Sequence, residues 1–180
     1  EFCVDNVFSP DGKFLYTVGA NSITCFKVEN GKLTHIESRA EAVQEAGAKR
    51  EETPEDELQA EQALITSGGR GIAITPDGKL LLASWDGTGA LTVHRRDPET
   101  GKLSAMVQAL SNGIGIDKGL AGVMHVTVSS GGDFAYTAGG RFGRENGVCV
   151  FSIDSKTARL TPVQSLTGDD VPKDFDGGNE

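Results

Sequence analysis

An all-β fold built from repeated units is predicted by three observations: one turn segment returns three times, the apolar runs between turns are short, and 24 of 180 residues are glycine. The segment Ser9-Pro10-Asp11-Gly12-Lys13-Phe14-Leu15-Tyr16 recurs as Thr75-Pro76-Asp77-Gly78-Lys79-Leu80-Leu81-Leu82 and, altered, as Ser129-Ser130-Gly131-Gly132-Asp133-Phe134-Ala135-Tyr136. Pro presets the backbone angle at the second turn position and Gly accepts a positive φ, so each copy reverses the chain between two strands.

The same events follow each turn. An apolar strand comes first, at residues 14–18, 80–84 and 134–138, with the unbroken hydrophobicity of strands covered on both faces. An alternating strand follows at 23–28, 91–94 and 148–153, then a second turn at 30–33, 100–103 and 157–160. A last strand centres on Ile36, Val107 and Val163, and the strand ahead of each first turn, at 7–8, 72–74 and 126–128, completes a four-stranded meander. Four antiparallel strands on a fixed repeat describe a β-propeller blade. Gly12, Gly78 and Gly132 stand 66 and 54 residues apart, and removing residues 39–63 brings the first spacing to 41, near the roughly 40–45 residues of a blade.

The prediction is three four-stranded antiparallel blades of a larger propeller, at 1–38, 67–110 and 123–166. An acidic insertion occupies 39–66, a connecting loop 111–122, and an acidic start of a connection to a further blade 167–180. Thr53-Pro54-Glu55-Asp56 offers an N-cap, a Pro in the first helical position and first-turn acids, so the insertion is expected to be partly helical. Propellers use four blades or more. The chain is therefore expected to need the rest of a propeller or further copies of itself, and its opening residues, neither an initiator Met nor a signal peptide, suggest a start inside a longer chain.

The net charge of −9 is concentrated. Residues 39–63 hold eight acids and three bases and residues 169–180 five and one, leaving 13 of each sign elsewhere. Such a balance argues against a nucleic-acid partner, which needs a basic surface, and no apolar run is long enough to span a bilayer. Cys3, Cys25 and Cys149 show no metal spacing and are expected as free, mostly buried thiols, which leans toward a reducing compartment or a secreted protein without disulfides.

Ser9-Pro10-Asp11-Gly12-Lys13-Phe14-Leu15-Tyr16, the strand ending Phe26-Lys27-Val28, and Asn30-Gly31-Lys32-Leu33 together resemble the blade repeat of the lactonase-type seven-bladed propellers. This family includes the 6-phosphogluconolactonase of some bacteria and the fungal carboxymuconate cyclases. Residues 122–129 and 148–154 share the likeness. Two departures stand out: Met124 occupies the place of a His that follows Pro in enzymatic members, with His125 one residue later, and Ala138-Gly139-Gly140 replaces an Asp-Leu-Gly. The resemblance implies a lactonase-like hydrolase acting on a sugar lactone or similar small cyclic ester without an obligate cofactor. The alternative is a non-catalytic segment that binds a protein or glycan.

Ligands of propellers bind at the face formed by the loops entering the innermost strands and joining second to third strands, opposite the Pro-Asp-Gly turns. Asp5, Asn6, Arg70, Trp85, Asp86, His125 and the loop 141–146 fall there, whereas Asp11, Asp77 and Asp133 serve the turns. Opening a lactone requires a base to activate water and a cation to hold charge on the carbonyl oxygen. His125 and Glu145 are the candidate bases and Arg70 the charge holder; Arg141, Arg144, Asp86 and Trp85 are candidate substrate contacts. His35 and His94 are expected at the surface of outer strands, and the Asp-rich tail lacks the calcium-loop spacing. No zinc pattern or phosphate loop is present.

Overall fold

The computed structural model describes residues 3–40, 67–140, 147–168 and 170. The insertion and its expected helices lie outside them. Three antiparallel sheets follow in chain order. Blade one is β1 (Cys3–Phe8), β2 (Phe14–Gly19), β3 (Ile23–Glu29) and β4 (Lys32–Arg39). Blade two is β5 (Gly69–Ile74), β6 (Leu80–Trp85), β7 (Ala90–Arg96) and β8 (Leu103–Asn112), extended by β9 (Gly115–Ile116), which pairs parallel to β8. Blade three is β10 (Val123–Val128), β11 (Phe134–Gly139), β12 (Gly147–Asp154) and β13 (Arg159–Thr167). Among the described residues no helix is long and apolar enough to cross a membrane.

The repeated turn works through its side chains. The Ser9 hydroxyl donates to Asp11 Oδ1 (2.6 Å) and accepts from the Phe14 amide (3.0 Å), while Asp11 accepts from the Lys13 amide (3.2 Å). Thr75 and Asp77 repeat the arrangement at 2.6, 3.0 and 3.1 Å. Gly12 and Gly78 both take φ 72° and donate back to the carbonyls of Ser9 and Thr75, a type I turn closed by a left-handed residue. In the third copy Ser129 still caps the Phe134 amide, and Gly132 takes φ 82°.

Two cores lie between blades. One joins blades one and two through Phe14, Tyr16, Val18, Cys25, Leu81 and Trp85. The other joins blades two and three through Leu80, Leu82, Val93, Ala135, Cys149 and Phe151. Strand alternation produces this split: in β6 Leu81, Ala83 and Trp85 face one neighbour, Leu80 and Leu82 the other. Blade two is thus covered on both faces.

This double coverage corrects the expectation for His94, which is fully buried on β7, with its Nδ1 3.4 Å from the Ser104 carbonyl oxygen; His35 is exposed as expected. Cys25 and Cys149 are buried free thiols, but Cys3 is exposed.

A buried cation ties the first interface. Arg96 of β7 donates through Nε to the Tyr16 hydroxyl (2.7 Å) and through Nη1 to the Gly78 carbonyl (3.0 Å). Its guanidinium lies 5.1 Å from the Phe14 ring centre and 5.7 Å from that of Tyr16. The Tyr16 hydroxyl donates in turn to the Gly101 carbonyl at 2.5 Å. Burial pushes the Tyr16 phenol far up, keeping it a donor. Tyr16→Phe is expected to cost about 1–3 kcal/mol, because it strips a partner from two buried groups; chemical denaturation measures the loss.

Burial pushes the Asp77 carboxyl up, but the Thr75 hydroxyl and Lys79 amide outweigh it, so its pKa lies below the ordinary value. The Ser9 hydroxyl and Lys13 amide lower Asp11 likewise. A carboxyl with a folded pKa below its unfolded value of about 3.9 adds stability above that pH, and the gain is lost as pH falls through the folded value. Asp11→Asn/Asp77→Asn should therefore flatten the acid limb of a stability profile below about pH 4 and leave the neutral limb parallel to wild type.

Candidate active site

The first strands of the three blades, β1, β5 and β10, stand side by side. Asp5 Oδ2 accepts the Ile72 amide of the next blade at 3.2 Å, and a Cβ on Gly71 would lie 2.9 Å from His125 Cα. These are the innermost strands. Each carries a bulge at the same register: pairing slips between Cys3 and Asp5, between Gly69 and Gly71, and between Val123 and His125. The extra residues are Val4, Arg70 and Met124, and the residues after them are Asp5, Gly71 and His125. Bulges re-aim a side chain and are common beside active sites.

Arg70, the extra residue of the β5 bulge, is thus left out of the pairing and is part-exposed. Its orientation comes from Asp86, which follows β6 and is brought alongside by the Gly69–Trp85 pairing and by the Asp86 amide donating to the Gly68 carbonyl (2.8 Å). Asp86 is nearly buried, with Oδ2 3.4 Å from Arg70 Nη2. Asp86 therefore faces the guanidinium and exposes little surface of its own. Arg70 Nε is buried without a partner among the described residues.

Trp85 departs from its expected substrate contact. It is fully buried in the core between blades one and two, and its indole N–H donates to Thr92 Oγ1 at 2.9 Å. The strand ending at Trp85 alternates, so Trp85 turns inward where Asp86 turns toward Arg70. Backbone approach explains the flanking glycine: a Cβ at Gly69 would fall 2.2 Å from the Gly19 carbonyl oxygen of blade one.

His125 is exposed on β10, one residue past the bulge, so it shares the register of Asp5 and Gly71 and not that of Arg70. Glu145, Arg141 and Arg144 lie outside the described residues. Among the described residues no group of His, Cys, Asp and Glu is placed to hold a metal ion. A cleft of about 500 Å³ lies instead on the outer rim, between the β9 segment and β13, lined by Asp117, Lys118, Gln164 and Ser165 among others. Next to it the Lys118 ammonium holds Asp170, with the Thr167 amide and hydroxyl, at a pKa of about 2. That rim is remote from the innermost strands.

Successive antiparallel sheets of four or five strands in chain order are those of a β-propeller. Residues 50–117 match the family model described as lactonase, 7-bladed beta-propeller. Among solved structures, two proteins bearing the name 6-phosphogluconolactonase, from Bacteroides uniformis and Bacteroides fragilis, share 20% and 21% identity with TM-scores of 0.63 and 0.64. They align with 90% and 91% of this chain and 39% and 38% of their own. The periplasmic gluconolactonase of Pseudomonas aeruginosa aligns at 20% identity and TM-score 0.66, over 90% of this chain and 39% of its own. No curated protein matches the sequence. The likeness to the lactonase-type propellers therefore extends to the family model over the whole of blade two and to the fold over nearly the whole chain, which spans about two fifths of the length of these structures.

Removing the positioning carboxylate separates orientation from charge. Asp86→Ala should lower stability by about 1–3 kcal/mol, since it leaves a part-buried guanidinium short of an acceptor, and Asp86→Asn should recover most of it; thermal melts of the pair measure the difference.

Proposed function

We propose that this propeller hydrolyses a sugar lactone or similar small cyclic ester at the loop end of its innermost strands, with Arg70 as the residue that holds developing charge. The observation that carries this reading is the bulged, part-exposed Arg70 anchored by the nearly buried Asp86. The family match over blade two, which contains both residues, supports it. A guanidinium fixed at one edge presents its remaining donors without reorganisation, and preorganised donors aimed at an oxyanion contribute the larger part of acyl-transfer catalysis.

In this reading water attacks the carbonyl carbon, a base accepts its proton, and the ring C–O bond breaks as that proton is returned to the leaving oxygen, releasing a hydroxy acid. The candidate bases are His125 and Glu145, and Arg141 and Arg144 are candidate contacts for a substrate anion. The acid limb of the pH–rate profile reports the base that accepts the water's proton.

Hydrolysis of glucono-δ-lactone and its 6-phosphate, followed by acid release in a pH-stat, tests the reading. Arg70→Ala should reduce kcat by about 10²–10³-fold, and Arg70→Lys should restore only part because a point charge replaces a planar fork. Unchanged turnover in Arg70→Ala would remove Arg70 from the mechanism, and the base is whichever of His125→Gln and Glu145→Gln abolishes the acid limb.

A further inference from the structure

Pairing of each innermost strand with the second strand of its blade sets three residues at one place in the repeat. Val18 stands opposite Asp5 in blade one, Ser84 opposite Gly71 in blade two and Ala138 opposite His125 in blade three. Two blades carry an aliphatic residue there, and the middle blade carries a hydroxyl. Ser84 is fully buried, as Val18 is. A hydroxyl taken out of water costs free energy unless it is bonded. Ser84 directs its bonds to a single residue: its Oγ accepts the Gly71 amide at 2.9 Å and donates to the Gly71 carbonyl at 3.4 Å.

Gly71 needs that hold. A Cβ at Gly71 would lie 2.9 Å from each of His125 Cα, the Val126 amide nitrogen and Ser84 Oγ, so the close approach of blade three excludes a larger residue. Glycine has the most backbone freedom to lose on being fixed. Asp5, at the same place in blade one, is held through its own carboxylate, which accepts the amides of Asn6 at 2.8 Å and Ile72 at 3.2 Å. Gly71 has no side chain to be held by, and Ser84 supplies the hold from the opposite strand.

Gly71 directly follows Arg70, the extra residue of the bulge. On the other side, Gly69 pairs with Trp85, and the Ala20 carbonyl of blade one accepts the amides of Gly68 at 2.6 Å and Gly69 at 3.3 Å. Arg70 is thus one unpaired residue between two fixed ones, with its Nη2 3.4 Å from Asp86 Oδ2. In blades one and three the extra residues are Val4 and Met124. The buried hydroxyl and the bulged cation occur in the same blade, the one with both neighbours in place.

We propose that Ser84 is a positioning residue for Arg70: by fixing Gly71, its hydroxyl holds the bulge in the form that turns the guanidinium toward Asp86. The positioning stands on the geometry alone, and its consequence for turnover rests on the lactone-hydrolase reading.

The test compares Ser84→Val with Ser84→Thr in the intact chain. The two side chains have one shape and differ in the hydroxyl, and Val18 shows that this shape fits the place in blade one. The NMR signal of the Arg70 Nε–H, assigned by its loss in Arg70→Lys, should keep its wild-type position in the Thr chain and move toward that of exposed arginines in the Val chain. With glucono-δ-lactone, Ser84→Val should lower kcat about 10–100-fold with KM nearly unchanged, and Ser84→Thr should restore most of it. Arg70→Ala/Ser84→Val should turn over no more slowly than Arg70→Ala. An Arg70 signal that is alike in the Val and Thr chains would overturn the proposal, as would equal kcat in the two. If the wild-type chain opens no lactone, the hydrolase reading falls, and the Arg70 signal alone decides for or against Ser84.

Discussion

A blade of four strands has two apolar faces, and neither can be left in water; that requirement governs the rest of this structure. Blade two meets it fully, with Leu80 and Leu82 on one side and Leu81, Ala83 and Trp85 on the other all buried. Area burial is non-directional, so it holds blades together without setting their register. Register comes from polar pairs at three radii: Asp5 on the Ile72 amide near the axis, Tyr16 on Gly101 and Arg96 midway, and Glu37 with Arg39 on Leu103 at the rim. Each uses a backbone group that the ladder leaves unpaired, and a buried group without a partner is costly.

The same register builds the candidate site. Asp86 and Arg70 come from different strands of one blade and meet because β5 and β6 pair through Gly69 and Trp85. Trp85, locked beneath by Thr92 and packed against blade one, fixes where Asp86 emerges. The bulge then turns Arg70 out of the ladder. An inter-blade core and a part-exposed cation are thus consecutive consequences of a few residues, and the role proposed for Arg70 rests on that rigid support.

Much of the blade architecture was legible because it is written locally. Pro-Asp-Gly, with Ser9 or Thr75 ahead of it, encodes its own hydrogen bonds, and the apolar runs after it state their coverage on both faces. The bulges were not legible: nothing in Cys3-Val4-Asp5 or Gly69-Arg70-Gly71 signals an extra residue, and only pairing with β2 and β6 creates one. His94 was misjudged because an alternating strand reads as half-exposed, whereas the middle blade buries it on both sides. Trp85 and Asp86 were both candidate substrate contacts, yet alternation sends the two in opposite directions. Glu37 and Gln108 drew no notice because their partners are backbone groups of another blade, 66 and 52 residues distant for Leu103 and Leu160, and Arg96 because the Tyr16 hydroxyl it reaches across the blades is 80 residues away. Their equal places in successive repeats were the available signal.

The central claim is that blades are held in register by polar contacts to each other's backbone. Native-state hydrogen exchange read residue by residue tests it most directly. The account predicts that the amides of Ile72, Leu103 and Leu160, which bond to side chains across blade boundaries, open with the same free energy as the ladder amides of β6 and β7. Exchange of these three at the rate of exposed loop amides, while β6 and β7 stay protected, would contradict it.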